Sequence, residues 1–451
     1  MAETRELASF VASLDTSSIP DDVQHQAKRC LIDWLGVALA GSQDPGVGPM
    51  LATVERVGGK GPAAVLGTDL TASQPFAALA NGFAAHVLDF DDTFQPSRTT
   101  VHGSAPVWPV LMALGQGRML QGRRALEAFV AGFETECRVG LAAGPRHYER
   151  GWHVTGTAGH FGAAAAASRA LGFDRAQTAA ALGTAGTQAA GVKEVYGTMG
   201  KALHPGKAAM DGLLSVLLTE SGFTATHSIL EGKRGFLNVQ SDDPQPVWLT
   251  RDLGSTWWLR ENSFKPYSCG SLTHPTIEAV LHLRAEHAIT PDEVDGAEAT
   301  VHSYVSWVTA KEEPATGLEG KFSIFHAVAV ALLDGRALPR QFTDERVNAP
   351  DVAELRKRVR IVVDDDLPKE GARVVIALKD GRRLSHEVPR NKGSADNPLS
   401  DIDLEQKYLD LASAVIGAAD ARAVAKDCWR LEDLDDLSEI IERCTKAISP
   451  T

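Results

Sequence analysis

The stretch His86-Val87-Leu88-Asp89-Phe90-Asp91-Asp92-Thr93-Phe94, followed by His102-Gly103-Ser104, puts three acids and two histidines between apolar neighbours. Such groups are costly to bury and are rarely gathered for stability alone. If His86 to Thr93 closes a helix, His86, Asp89 and Thr93 lie at i, i+3 and i+7 on one face. Pro96-Ser97-Arg98 then breaks the helix and a loop carries His102. A histidine and a carboxylate at such a junction make an acid/base pair. The competing structural role for Asp89, Asp91 and Asp92 is to cap a helix and pair with Arg98. His86 reads as a packed structural histidine.

Two further stretches carry polar groups among small residues. Gly151-Trp152-His153-Val154-Thr155-Gly156-Thr157 reads as a Gly/Thr-rich turn before a helix from Phe161, offering backbone N–H groups to an anion. Its glycine spacing matches neither a dinucleotide fingerprint nor a phosphate-binding loop. Gly197-Thr198-Met199-Gly200-Lys201-Ala202-Leu203-His204-Pro205-Gly206-Lys207 reads as a Gly/Pro-broken turn before an apolar helix from Ala208 to Thr219, and helices continue to roughly Leu230.

The elements that must position these groups are mainly helical. Residues from about Thr4 to Ala40 read as two amphipathic helices separated at Ser17–Asp22. Ala63 to Gly67 reads as extended. Ser73 to Asp89 and Ala105 to Gly172 carry helical periodicity, with enough small residues for close helix contact. The texture changes at Lys265. Ala297–Val305, Val359–Val363 and Arg373–Leu378 are β-rich, with a hairpin turn at Lys379-Asp380-Gly381-Arg382. Helices at His274–His287 and Ser323–Leu333 lie between them. Amphipathic helices return after Asn397-Pro398 and run to Ile448. The expected fold is mainly α with a smaller α+β domain: a helical domain from residues 1–264 and 392–451, with residues 265–391 as the α/β part.

The 451 residues easily support a large core. A formal charge of -13 argues against non-specific nucleic-acid or anionic-membrane binding. Five scattered cysteines without CxxC spacing suggest neither a zinc site nor a disulfide framework. Cys269 reads as a small buried filler. The polar first residues lack a signal-peptide core, and no apolar run is long enough to span a membrane, so the expected setting is a reducing cytoplasm.

Five stretches together resemble the MmgE/PrpD family, which includes 2-methylcitrate dehydratase, cis-aconitate decarboxylase and iminodisuccinate epimerase. They are Leu88–Thr93, His102–Ala105, Gly151–His153 with Gly156-Thr157, Gly197–Gly206 and Phe264–Tyr267, in family order. The resemblance implies a lid-like α/β domain, a homodimer, a pocket between the domains, and action without metal or organic cofactor on a small anionic di- or tricarboxylate. Carried over by position, it implies Asp89, His102, His153 and Lys201 as catalytic groups. Thr93, Lys265, Tyr267 and His204 are implied around the substrate. Gly103 and Val154 stand where the family often has proline. Tyr267-Ser268-Cys269 stands where the decarboxylase places a histidine shortly after the lysine.

The shared chemistry is proton movement at a carbon next to a carboxylate. Lysines suit carboxylate binding and histidines suit general acid and base roles. Dehydration like that of 2-methylcitrate dehydratase is the first expectation, then epimerisation, then decarboxylation. Phe90-Asp91-Asp92 in a helical setting is also similar to an Asp-rich Mg²⁺ site of prenyl-diphosphate enzymes, without a second acidic cluster to match. A non-catalytic carboxylate-binding or scaffold protein is the alternative from another class.

Overall fold

The computed structural model describes residues 2–445. Helices α1 (Glu3–Ser13), α2 (Asp21–Ser42) and α3 (Gly48–Val57) precede a two-residue hairpin of β1 (Ala63–Ala64) and β2 (Thr71–Ala72). Then come α4 (Gln74–Val87), β3 (Thr93–Phe94), α5 (Ser104–Gly115), α6 (Gly122–Glu149), α7 (Val154–Leu171), α8 (Arg175–Gly186) and α9 (Met199–Glu220). Helix α6 kinks at Gly144, whose φ is 72°. The short α10 (Phe236–Gln240) and α11 (Val247–Thr250) lead to β4 (Asn262–Ser263). The C-terminal helices are α18 (Asp401–Ile416), α19 (Ala418–Trp429) and α20 (Ser438–Cys444), after the elements described next.

Between β4 and those helices lies a mixed sheet of β5 (Val294–Val301), β6 (Val359–Val363), β7 (Ala372–Leu378) and β8 (Arg383–Val388), in the order β6-β5-β7-β8. β5 and β6 are parallel, and the other neighbours are antiparallel. β7 alternates as one buried face requires, with Ala372, Val374, Ile376 and Leu378 inward. Helices α12 (His274–Glu286), α13 (Ser303–Thr309), α14 (Gly317–Gly320), α15 (Ile324–Asp334), α16 (Asp344–Val347) and α17 (Pro350–Arg356) accompany the sheet.

Two main apolar cores result. One gathers residues from both ends of the chain, among them Leu7, Trp34, Phe129, Leu404 and Ile440. The other is drawn from residues 269–388, with Ile277, Val301, Val328 and Ile376 at its centre. The pairing of β3 with β4, Thr93 opposite Ser263, joins the acidic stretch to the segment just before Lys265.

Three local expectations change. Helix α4 stops at Val87, so Asp89 is not on a helical face. Asp89 adopts φ 50°, a left-handed conformation that aspartate tolerates better than most residues, and the chain turns there. Residues 154–171 and 199–220 are continuous helices rather than glycine-rich turns. Their glycines serve close packing. A Cβ on Gly206 would sit 2.5 Å from the carbonyl oxygen of Leu79, so only glycine lets α9 cross α4 this closely. The helical region after residue 200 ends at Glu220, ahead of the expected Leu230. The expected helix to Ile448 lies partly outside the described residues.

Candidate active site

The close crossing of α4 and α9 brings His86 and Lys201 together. His86 sits in the last turn of α4 and Lys201 in the first turns of α9. Lys201 Nζ is 2.8 Å from His86 Nε2 and 2.9 Å from Asp89 Oδ1. Lys265 Nζ reaches the same Asp89 Oδ1 at 2.9 Å and the Asp89 carbonyl at 3.0 Å. One buried carboxylate oxygen therefore receives two buried ammonium groups. Burial alone would lift the Asp89 pKa, but Lys201 and then Lys265 hold it well below the ordinary carboxylate range. Burial lowers Lys201, and Asp89 only partly offsets that. For Lys265 the order reverses: burial is outweighed by Asp89 and Asp91, and its pKa rises. The other oxygen, Asp89 Oδ2, is buried without a hydrogen-bond partner.

Asp91 serves the histidines. Its carboxylate lies 2.8 Å from His86 Nδ1 and 3.0 Å from His102 Nδ1. These two imidazoles outweigh its burial and hold Asp91 well below its usual range. The tautomers follow from the partners. Lys201 can only donate, so His86 Nε2 accepts and its proton resides on Nδ1, facing Asp91. Burial drives the His86 pKa down to about 3, against the pull of Asp91 and with the push of Lys201. His86 is therefore neutral near neutrality, which corrects its reading as a packing residue: it links Asp91 to Lys201. His102 Nδ1 also lies 3.0 Å from the Asp92 carbonyl, which can only accept. Nδ1 of His102 thus carries hydrogen, and Nε2 is left with its lone pair.

His153 caps the start of α7, and its Nδ1 lies 2.9 Å from Nδ1 of His204. One must donate and the other accept, so both rings cannot be charged together. Burial, then Lys201, lowers both: His153 well below its ordinary value and His204 to about 4. Asp92 faces away from this set. Its Oδ2 accepts from Ser104 Oγ at 2.6 Å and Asn262 Nδ2 at 2.5 Å. Burial and the charge of Asp33 push its pKa up to about 7. Asp91 and Asp92 thus point to different partners, unlike a shared Mg²⁺ site, and neither pairs with Arg98.

A cavity of about 620 Å³ opens over these groups. Asp89, Thr93, His102, His153, Lys201 and Lys265 line its polar side. Tyr148, Tyr196, Tyr304 and Phe322 line the other. Six of the eight residues expected at the site therefore converge. The other two do not reach the cavity wall. His204 stands behind His153 and positions it. Tyr267 packs edge-on against His274 at 5.3 Å and joins the second core. Cys269 is buried with its thiol pushed to about 12, a filler as expected. His160 pairs with Asp211 and Lys207 away from the cavity, so Lys207 is engaged rather than free on a helix surface.

Among the described residues, two sets of side-chain atoms lie close enough to hold a metal ion: His86, His102 and His153, and His86, Asp89 and Asp91. Both include His86, whose Nδ1 and Nε2 are engaged by Asp91 and Lys201. The ammonium of Lys201 opposes a cation at that point.

Sequence reasoning named Lys265 but missed the three other residues that hold the turn, Lys321, Ser268 and Lys407. The carbonyls of four successive residues each accept a side-chain donor: Val87 from Lys321, Leu88 from Ser268, Asp89 from Lys265 and Phe90 from Lys407. Lys407, on α18, also pairs with Asp33 at 2.7 Å. Nothing local distinguishes Lys321 and Lys407 from solvated lysines. The cavity tyrosines likewise come from separate segments with no shared motif.

The family model for the MmgE/PrpD N-terminal domain matches residues 5–249, and that for the MmgE/PrpD C-terminal domain matches residues 267–431. The chain belongs to the MmgE/PrpD family. Similar MmgE/PrpD proteins include a cis-aconitate decarboxylase-like protein, oryM, of Aspergillus oryzae (strain ATCC 42149 / RIB 40), 29% identical over 97% of this chain and 96% of its own length. The cis-aconitate decarboxylase of Aspergillus terreus is 27% identical over 97% and 95%. That of Mus musculus is 28% identical over 99% and 94%. These relatives support an enzyme of the lyase type. No helix among the described residues is long and apolar enough to cross a membrane.

Proposed function

We propose that this MmgE/PrpD protein is a lyase of small di- or tricarboxylates that moves a proton at a carbon next to a carboxylate. The observation that carries the reading is the pair of buried ammonium groups on one oxygen of Asp89, beside two imidazoles on the same cavity wall. Abstracting a proton from such a carbon pushes negative charge onto the carboxylate. Lys201 and Lys265 supply fixed positive charge for it in a water-poor site. His102 is held by its Nδ1–H, so Nε2 is the base that takes the proton. His153, neutral and coupled to His204, orients the substrate by a hydrogen bond.

The finer reading is dehydration of a hydroxy acid. Asp89 Oδ2 is a buried acceptor without a partner, which suits a substrate hydroxyl. In that step His102 removes the proton, the C–O bond breaks, and the hydroxide leaves as water with the proton that His102 has taken up. Decarboxylation is the second reading, favoured by the cis-aconitate decarboxylases among the relatives. Mass spectrometry of the purified protein incubated with citrate, 2-methylcitrate, cis-aconitate and iminodisuccinate separates the two. Loss of water from a hydroxy acid supports the first, and loss of carbon dioxide from cis-aconitate supports the second. No conversion of any acid, or undiminished conversion by His102→Gln, overturns the proposal. Assembly as a homodimer is part of the same proposal, and analytical ultracentrifugation tests it.

A further inference from the structure

Lys321 is a buried ammonium that the chemistry above does not use. It follows α14, is 3% exposed, and makes one hydrogen bond, 2.8 Å to the Val87 carbonyl. Among the described residues it forms no ion pair, and Lys201 and Lys265 already share Asp89. An ammonium has three donors, so two remain. A buried charge paired only with a neutral carbonyl is costly unless an anion completes it.

Lys321 faces a second, smaller cavity of about 260 Å³. Lys201 lines it too, as does Thr198, the residue capping the 22-residue helix α9. Asp89, Lys201 and Phe322 separate this cavity from the larger one and belong to both. Asp89 is the one acid on its wall, and both of its ammonium partners bear on a single oxygen. His86, also on the wall, is neutral because its Nε2 accepts from Lys201. Lys201 and Lys265 thus take up the charge of Asp89, Asp91 is taken up by two imidazoles, and Lys321 is left with the more distant fields of Asp44 and Asp89.

We propose that the cavity lined by Lys321 and Lys201 is a subsite for one small anion, such as a carboxylate group, with Lys321 as its binding cation. The occupant is either a carboxylate of the substrate, which rests on the function proposed above, or a separate small anion. Bromide is the probe, because its anomalous scattering locates it. Crystals of the wild-type protein soaked in bromide are expected to show an anomalous peak in hydrogen-bond range of Lys321 Nζ. Crystals of Lys321→Gln are expected to lack it, and those of Lys321→Arg to retain it. No wild-type peak there, or an equal peak in Lys321→Gln, overturns the proposal. Kinetics then assign the source. A KM for the polycarboxylate raised about tenfold or more in Lys321→Gln, with kcat within about twofold, identifies the substrate's own carboxylate. An unchanged KM with the bromide peak present identifies a separate anion. The bromide measurement requires no turnover, so it stands or falls independently of the reaction.

Discussion

Replacing Asp89 by asparagine isolates the feature on which the site is built. The amide keeps an acceptor for Lys201 and Lys265 but removes the charge between them. At 2.9 Å and an effective dielectric of about 20, each ammonium loses roughly 5–6 kcal/mol of gross attraction. The net cost is smaller because either lysine can give up its proton instead. Each pKa unit above the solution pH costs about 1.4 kcal/mol, so deprotonating a lysine of ordinary pKa at pH 7.5 costs about 4 kcal/mol. That limit agrees with the roughly 3–5 kcal/mol found when one partner of a buried pair is removed. With about 2 cal/mol/K of unfolding entropy per residue, 451 residues give about 0.9 kcal/mol/K. Asp89→Asn should therefore lower Tm by about 3–5 °C in calorimetry at pH 7.5. The Asp89 pKa is lowered by folding, so its stabilisation is full above about pH 4 and is lost as pH falls through the folded value. The gap between wild type and variant should close in acid. Adding Lys265→Met to Asp89→Asn should restore part of the loss, because it removes one of the stranded charges. An unchanged Tm at pH 7.5, or strictly additive losses in the double variant, would refute the reasoning.

Other expectations concern neighbouring groups. His102→Gln should lower kcat/KM by about 10²–10⁴-fold with little change in Tm, as steady-state kinetics and calorimetry would read. Lys201→Met should abolish turnover, or raise KM strongly, in a protein whose circular dichroism is unchanged. A large loss of stability with normal kinetics would count against that role. Asp92→Asn should act in the opposite sense to Asp89→Asn. The Asp92 pKa is raised to about 7, so wild-type stability falls as pH rises from about 4 to 7, by up to about 4 kcal/mol. The variant should match wild type near pH 4 and melt higher at pH 8. An equal or lower Tm at pH 8 would contradict this.

The acidic stretch, the two histidines and Lys201 were legible because their types are rarely gathered among apolar neighbours. Their local geometry was less so. The helical spacing of His86, Asp89 and Thr93 suggested one face, but the chain leaves the helix at Val87 and turns at Asp89. Four side-chain donors hold that turn, two of them from segments 231 or more positions downstream of the Val87–Phe90 carbonyls they reach, a relation no local pattern carries. The glycines near Lys201 and His153 suggested turns by propensity. Gly151 and Gly197 do turn the chain, at φ 103° and 80°, but those inside the helices, such as Gly206, serve close helix crossing, where tertiary packing overrides a weak local preference. The same crossing sets His86 against Lys201, which is why the histidine looked merely structural in sequence. Two of the four strands, β6 and β7, were read nearly to their ends and the Asp380-Gly381 turn was found, but the stretch read as Ala297–Val305 leaves the strand at Val301 for α13, and β8 was not named. Lys321, Lys407 and the cavity tyrosines left no trace because their meaning lies only in what surrounds them.

The most direct test of the central claim is proton NMR of the purified protein in D₂O with citrate, 2-methylcitrate, cis-aconitate and iminodisuccinate. The account predicts that at least one acid exchanges hydrogen for deuterium at a carbon next to a carboxylate, with an alkene or loss of carbon dioxide following. It also predicts that His102→Gln and Lys201→Met remove the exchange. An acid consumed without exchange at such a carbon, or exchange that survives both substitutions, would contradict it.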